Sequence, residues 1–366
     1  MEIKLNSHFE LNGTSFKNVS DLLLFSGSLP NPIQSFFKHF FDAADTVKLQ
    51  TSGSTGTPKV IKIKKEYMVS SALATSAFFK LREETTALLC MNPDFIAGKM
   101  MLVRALVLGW KLDVVAPSLN PLKEIKRKYD FSAMVHLQVS NSLGDLNKIK
   151  KMIIGGGVIS NELINELQQK KTHCFATYGM TETVSHIAVR KLNNYPSLQG
   201  RTTKQSVYTI LPNISISTDQ RNCLVIDAPK ITDATVISND LVKLISDTSF
   251  VWLGRFDNII NSGGIKLIPE QIEEKLSKII EQRFFVAGVF DKVLGEKLVL
   301  VIELGSVSLT AINSQKSVIS NAVKNLNSLT KFEIPKEIYF LESFLETSTK
   351  KIKRKETLNI FAKNFN

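Results

Sequence analysis

Between residues 65 and 177 the sequence switches repeatedly between helix-like and strand-like patterning. Residues 65–80 carry the helical pattern, 86–91 that of a strand, 97–109 a helix again and 111–115 a strand. Residues 121–128 read as a helix, 131–135 as a strand, 150–154 as a strand, 161–171 as a helix and 173–177 as a strand. Such alternation builds a parallel sheet covered by helices. Ligands of sheets of this kind gather at the carboxyl ends of the strands. The informative loops of this chain fall just after expected strands.

Just upstream, residues 51–59 read TSGSTGTPK and join two strand-like segments, 47–49 and 60–64. Thr51, Ser52, Gly53, Ser54, Thr55, Gly56 and Thr57 are small or hydroxylated, and Lys59 adds a full charge. Glycine tolerates the backbone angles that aim successive N–H groups into one concavity, so this is the composition of a phosphate cradle. It is not the Walker form, because Pro58 interrupts the required glycine–lysine spacing. A Ser/Gly/Thr surface turn is the plain alternative, but turns of that type rarely carry lysine and proline where a strand resumes.

With 366 residues and 43% apolar content, the chain is long enough for two or three domains with a sizeable core. Its apolar runs are too short to span a bilayer and its start has no apolar signal core, so a cytoplasmic protein is expected. Cys90, Cys174 and Cys223 stand far apart, which suits buried thiols in a reducing compartment. The net charge of +12 allows a nucleic-acid partner. The lysines are dispersed, however, with dense clusters only at 123–128 and 350–355 and no interleaved aromatics. Attraction of a small polyanion explains the charge as well, and no nucleic-acid partner is expected. A homo-oligomer is left open.

Residues 36–41 place Phe36, Phe37, Phe40 and Phe41 at helical spacing, more a core face than a cofactor box. Residues 153–157 end a strand in Gly155, Gly156 and Gly157. This is either a tight turn or bare backbone for a flat ligand. Tyr178, Gly179, Met180, Thr181, Glu182 and Thr183 follow the strand 173–177 and bring an aromatic face, hydroxyls and a carboxylate to a strand's carboxyl end. Glu182 is a candidate Mg²⁺ ligand, since that ion takes oxygen donors and shares them with phosphates. From about residue 208 to 250 the pattern becomes short strands and turns, as in a small barrel or meander. A proline-started helix follows at 269–280, and the last hundred residues read as mixed α+β. Asp240 and Arg255 together offer an acceptor and a donor suited to a ribose diol. The five histidines form no metal motif, and no G-x-S-x-G elbow is present.

In this order, TSGSTGTPK, the triple glycine, YGMTET, Asp240, GRFDNIINSGGIKLIPEQIE (254–273) and the basic segment 347–354 resemble the acyl- and aryl-CoA synthetases of the adenylate-forming superfamily. The likeness covers about residues 47–356. Within that superfamily, residues 95–109, 180–192 and 261–273 look most like the o-succinylbenzoate–CoA ligases of menaquinone synthesis, in a short form. The resemblance implies an α/β fold. A large N-terminal domain (1–254, shortened at its start) would have mostly parallel sheets covered by helices and a small barrel-like part. A smaller, mobile α+β C-terminal domain (255–366) would complete it.

The resemblance also implies the chemistry: a carboxylic acid attacks ATP to give acyl-AMP and pyrophosphate, and the CoA thiol then takes the acyl group. Mg²⁺ would be the cofactor and ATP and CoA the co-substrates. Ser52 to Thr57 with Lys59 would hold the β,γ-phosphates. Gly155 to Gly157 and Tyr178 would enclose the adenine, Thr181 would contact the α-phosphate, and Glu182 would hold Mg²⁺. Asp240 and Arg255 would take the ribose. Lys351 would bridge carboxylate and α-phosphate, although Lys350 beside it leaves that register open. Asp257 would be the hinge. Phe95, Gly98 and Lys99 would belong to the acyl pocket, with Lys99 either a fixed cation for a second carboxylate or a solvated helix residue. Departures from the family pattern are Ser238-Asn239-Asp240 in place of TGD, and Leu345 and Lys350 in place of proline and glycine. Other readings are another aryl or acyl ligase, an enzyme loading a carrier protein, or a catalytically weak nucleotide-binding regulator.

Overall fold

The computed structural model describes residues 3–50, 60–193, 207–305, 309–347 and 352–364. Lys111–Val114, Thr86–Leu89, Tyr129–Val135, Ile149–Gly155 and His173–Gly179 lie side by side in that spatial order, each parallel to the next. Such strands are covered on both faces, and Phe131, Met134, Met152 and Ile154 are buried accordingly. The helices Lys65–Phe79 and Ile96–Leu108 cover one face. The second is buried nearly all round, as befits a helix in the middle of a layered domain. It stops at Gly109, whose φ of +67° is a left-handed cap that glycine adopts without strain.

The phenylalanine-rich stretch forms the helix Asn31–Phe40, with Phe36, Phe37 and Phe40 buried and the Phe36 and Phe40 rings stacked at 5.1 Å. Residues 121–128 are not the helix their sequence suggested. The chain makes turns there instead, with the Asn120 side chain accepting from the Leu122 N–H at 3.3 Å and from Ser142 Oγ at 3.0 Å, and Lys148 Nζ donating to the Leu122 carbonyl at 2.9 Å.

Beyond His173–Gly179 the same sheet continues in antiparallel pairing. His186–Lys191 pairs with it, followed in space by Val207–Ile210, Ser249–Arg255, Val236–Ser246, Cys223–Asp227 and Ser215–Thr218. The expected barrel-like region is this wing; with Glu10–Leu11 and Thr14–Ser15 at the far edge, the mixed sheet has thirteen strands among the described residues. A second sheet begins at Ile260–Ser262. It holds Ile265–Leu267, Phe284–Asp291 and Gly295–Glu303, with Glu337–Leu341 parallel to Gly295–Glu303. The helix Pro269–Leu276 seats Ile272 and Leu276 in that sheet's own core. Among the described residues no helix is long and apolar enough to cross a membrane. The three cysteines are buried and free, and burial pushes the Cys90 and Cys174 thiols up to about 12.

Candidate functional site

The carboxyl ends of Ile149–Gly155 and His173–Gly179 bring the glycine turn beside the YGMTET loop. A side-chain carbon on Gly155 would sit 3.0 Å from Thr177 Oγ1, and one on Gly156, at φ +93°, 3.2 Å from Val135 Cγ1. The turn is therefore both close-packed and left-handed, which restricts it to glycine. Gly179 is held more tightly: a Cβ there would lie 2.3 Å from the carbonyl oxygen of Ser185, where the chain doubles back into His186–Lys191.

Between these two strands runs the short 3-10 turn Thr181–Thr183. Thr183 is buried and its hydroxyl ties the turn together, accepting from the Met180 N–H at 3.1 Å. Val184 closes the turn at φ +65°, ψ −54°. Residues in such sparsely populated backbone regions cost on the order of 1–3 kcal/mol, and this strain sits where the loop faces the site. Thr181 is half-buried and Glu182 exposed, and no described residue bonds the Glu182 carboxylate. A lone, accessible carboxylate fits Mg²⁺, which uses one or two carboxylates and completes its shell with phosphate oxygens. No cluster of three metal-ligating side chains occurs among the described residues.

The antiparallel wing supplies the other wall. Register pairs Asp240 with Arg255 across Val236–Ser246 and Ser249–Arg255. Asp240 is only 7% exposed. Its Oδ2 accepts from the Tyr178 hydroxyl at 2.7 Å and its Oδ1 from Trp252 Nε1 at 3.0 Å, with Arg255 Nη1 3.7 Å away. Burial, together with the charge of Asp240, raises the Tyr178 phenol far above its usual value, so it stays protonated and donates. Tyr178 packs edge-on against Tyr208 and Phe250 at 5.8 and 5.2 Å. Trp252 was invisible in the sequence reading, and only strand register places it on this carboxylate. Arg255 Nε and Nη2 donate to the two oxygens of Asp257 at 3.0 and 2.9 Å, a bidentate pair at the exit from the large sheet. Gly254 is needed there, because a Cβ would fall 2.5 Å from Glu270 Oε2.

The helix Ile96–Leu108 departs from expectation. Phe95 precedes its first turn and is 43% exposed, and Gly98 passes so close to the Asn92 carbonyl that a Cβ would lie 2.5 Å from its oxygen. Lys99 is not a free cation. Its Nζ donates to the carbonyls of Pro93 and Asp94 at 2.6 and 2.8 Å, closing the loop before the helix. One and a half turns on, Arg104 is 2% exposed. Its donors go to neutral groups: Nε to Thr75 Oγ1 at 3.3 Å, and Nη2 to Ser185 Oγ at 3.0 Å and His186 Nδ1 at 3.4 Å. No described acid pairs with it, and burial lowers its pKa to about 10. It is one of two charged residues in an otherwise apolar helix, and two of its partners, Ser185 and His186, follow the YGMTET loop by two and three residues.

The cradle residues Thr51, Ser52, Gly53, Ser54, Thr55, Gly56, Thr57 and Lys59 lie outside the described residues, as do Lys350 and Lys351. Their flanks are described. Thr46–Gln50 and Val60–Lys64 pair antiparallel with Gln50 opposite Val60, and residues 51–59 join these two strands in the sequence. Glu346 bridges Ile352, and the Lys353 N–H donates to the Leu345 carbonyl at 2.8 Å. Arg354 then anchors the chain, its Nη2 donating to Glu273 Oε2 at 2.8 Å. Glu273 Oε1 in turn accepts from the Val286 N–H at 2.8 Å, and burial pushes its carboxyl up to about 7.

Comparison with known proteins gives a consistent picture. Residues 48–220 match the model of the AMP-binding enzymes. The chain is 34% identical to an acyl-CoA synthetase (AMP-forming)/AMP-acid ligase II-like protein from Dyadobacter fermentans, with 91% of this chain and 95% of that one covered and a TM-score of 0.58. It is 24% identical over 343 residues to a 2-succinylbenzoate–CoA ligase of Bacillus cytotoxicus, covering 84% of this chain and 68% of the relative. The fold also matches, with a TM-score of 0.69 at 20% identity, the O-succinylbenzoate coenzyme A synthetase of Bacillus subtilis in complex with ATP and magnesium ion. That match covers 85% of this chain and 69% of the other.

Proposed function

Because the chain belongs to the AMP-binding enzyme family, we propose that it is a cytoplasmic ATP-dependent carboxylate–CoA ligase that converts o-succinylbenzoate to its CoA thioester through an acyl-adenylate. The observation that carries this reading is the convergence on one carboxylate: Tyr178 from the parallel half of the sheet and Trp252 from the antiparallel wing both donate to Asp240. The Asp240 oxygens keep lone pairs for a ribose diol. The bare glycine turn 155–157 beside Tyr178 leaves room for adenine.

In this reading the protein supplies little covalent chemistry; positioning and charge stabilisation carry the rate. The cradle 51–59 holds the β,γ-phosphates, Thr181 contacts the α-phosphate, and Lys351 bridges it to the attacking carboxylate. Glu182 would hold Mg²⁺, which when bound neutralises charge building on the phosphate oxygens. Acid-dependent exchange of pyrophosphate into ATP tests the assignment directly. Exchange with o-succinylbenzoate supports it, and its absence with every acid offered would sink it.

The large sheet ends at Arg255 and the small one starts at Ile260, which supports domains 1–254 and 255–366 with Asp257 as the hinge. Rotation there would withdraw Lys351 after adenylation and admit the thiol of CoA. Replacing Asp257 with proline is expected to slow thioester formation at least about tenfold more than adenylation, since a hinge must absorb large dihedral changes. Equal losses in both half-reactions would refute the hinge.

For the second carboxylate of the acid, Arg104 replaces Lys99 as the fixed cation. A buried guanidinium without an acid partner is costly unless an anion joins it. Arg104→Met should raise KM for o-succinylbenzoate on the order of 100-fold, the scale of a lost charge-assisted contact. The change should be much smaller for 4-oxo-4-phenylbutanoate, the same skeleton with one carboxylate. Lys99→Gln should shift neither KM selectively. Parallel losses on both acids in the Arg104 variant would remove the idea.

A further inference from the structure

Behind Arg104 lies a second set of polar groups that the proposed chemistry does not use. His186 is 7% exposed and Ser71 2%. Neither His186 Nε2 nor Ser71 Oγ has a hydrogen-bond partner among the described residues. Both line one cavity, walled also by Ala74, Leu211 and Ile231, whose volume of about 10 Å³ is room for a single water molecule.

Hydrogen-bond direction fixes the imidazole. Arginine has donors only, so in the 3.4 Å contact with Arg104 Nη2 the His186 Nδ1 accepts; the Ser185 hydroxyl, 3.3 Å away, donates to the same nitrogen in this tautomer, and the ring proton sits on Nε2. The adjacent guanidinium and burial together hold the ring neutral, its pKa well below the ordinary histidine range. Nε2–H therefore points as a buried donor into a cavity that also holds an unpartnered hydroxyl. Leaving such groups unsatisfied is costly, and a water between them removes that cost.

We propose that His186 is a specificity-positioning residue: a water bridging its Nε2–H to Ser71 Oγ locks the ring and thereby aims the Arg104 guanidinium at the acid's second carboxylate. The relay runs from Ser71 through the water and His186 to Arg104, which Thr75 and Ser185 hold from other sides. This inference rests on the assignment of Arg104 to that carboxylate.

Steady-state pyrophosphate exchange on the whole protein tests it, using o-succinylbenzoate and 4-oxo-4-phenylbutanoate. His186→Ala should raise KM for the first about tenfold and leave kcat, the KM for ATP and the KM for the second acid close to wild type. Ser71→Ala, which keeps the imidazole and is the milder change, should give a smaller selective rise of about threefold. His186→Gln offers an acceptor and a donor at similar reach and should restore most of the affinity. If Arg104→Met is selective but His186→Ala and Ser71→Ala are not, the relay is overturned while the Arg104 assignment stands. If Arg104→Met is itself unselective, both fall. Should His186→Ala fail to fold, Ser71→Ala decides alone, and wild-type KM values for both acids would overturn the relay.

Discussion

Replacing Lys351 with alanine should cut acid-dependent pyrophosphate exchange by about 10²–10³-fold, the scale on which single donors to a developing oxyanion act. As the carboxylate attacks the α-phosphate, negative charge builds between two anionic partners that repel each other. An ammonium placed between them stabilises that charge more than it stabilises either reactant, so the loss should fall on kcat. On either side of Lys351, Glu346 bridges Ile352, and Arg354 Nη2 donates to Glu273. Lys350→Ala is the companion measurement. If it abolished exchange while Lys351→Ala did not, the catalytic register would shift by one residue. If neither variant lost activity, no lysine of this segment would serve adenylation. Thioester formation from supplied acyl-AMP should survive in Lys351→Ala, because the α-phosphate is then a leaving group and needs no bridge to an incoming carboxylate.

Asp240→Ala should raise the KM for ATP on the order of 100-fold and lower stability by roughly 3 kcal/mol. Both effects come from one carboxylate. Removing it strands the Tyr178 hydroxyl and Trp252 Nε1, each a half-buried donor whose orphaning costs on the order of 1–2 kcal/mol. It also takes away the acceptor proposed for the ribose hydroxyls. Asp240→Asn separates the two contributions. It preserves volume and one acceptor oxygen, so the protein should fold with a much smaller stability loss while ATP affinity still falls at least about tenfold. Thermal unfolding and titration calorimetry with ATP read the two quantities independently. A well-folded Asp240→Asn variant with wild-type ATP affinity would exclude Asp240 from the ribose contact.

The alternation of patterns at 65–177 was legible because period and length carry it. A parallel strand buried on both faces must be apolar through its buried part, as 133–135 and 152–154 are, and the crossover that joins such strands is usually a helix. The loops at strand ends were legible for a related reason. Gly155, Gly156 and Gly179 sit where a Cβ would collide with a neighbour or meet a left-handed backbone, so the composition itself marks the spot. The turns at 121–128 are held by distant partners that local pattern does not show: Ser142 bonds the Asn120 side chain and Lys148 the Leu122 carbonyl.

The chain's own letters therefore determined the layered α/β architecture, the two strands that flank residues 51–59 and the glycine turns at strand ends, all of which depend on near neighbours. Tertiary structure alone decided which cation is withheld from solvent. Lys99 and Arg104 are five residues apart on one helix, yet one ends on the carbonyls of its own loop and the other is buried against Thr75, Ser185 and His186. Which of two charges on a helix is shut away from water is set by what packs against each turn, and those partners come from distant parts of the chain that local pattern does not connect.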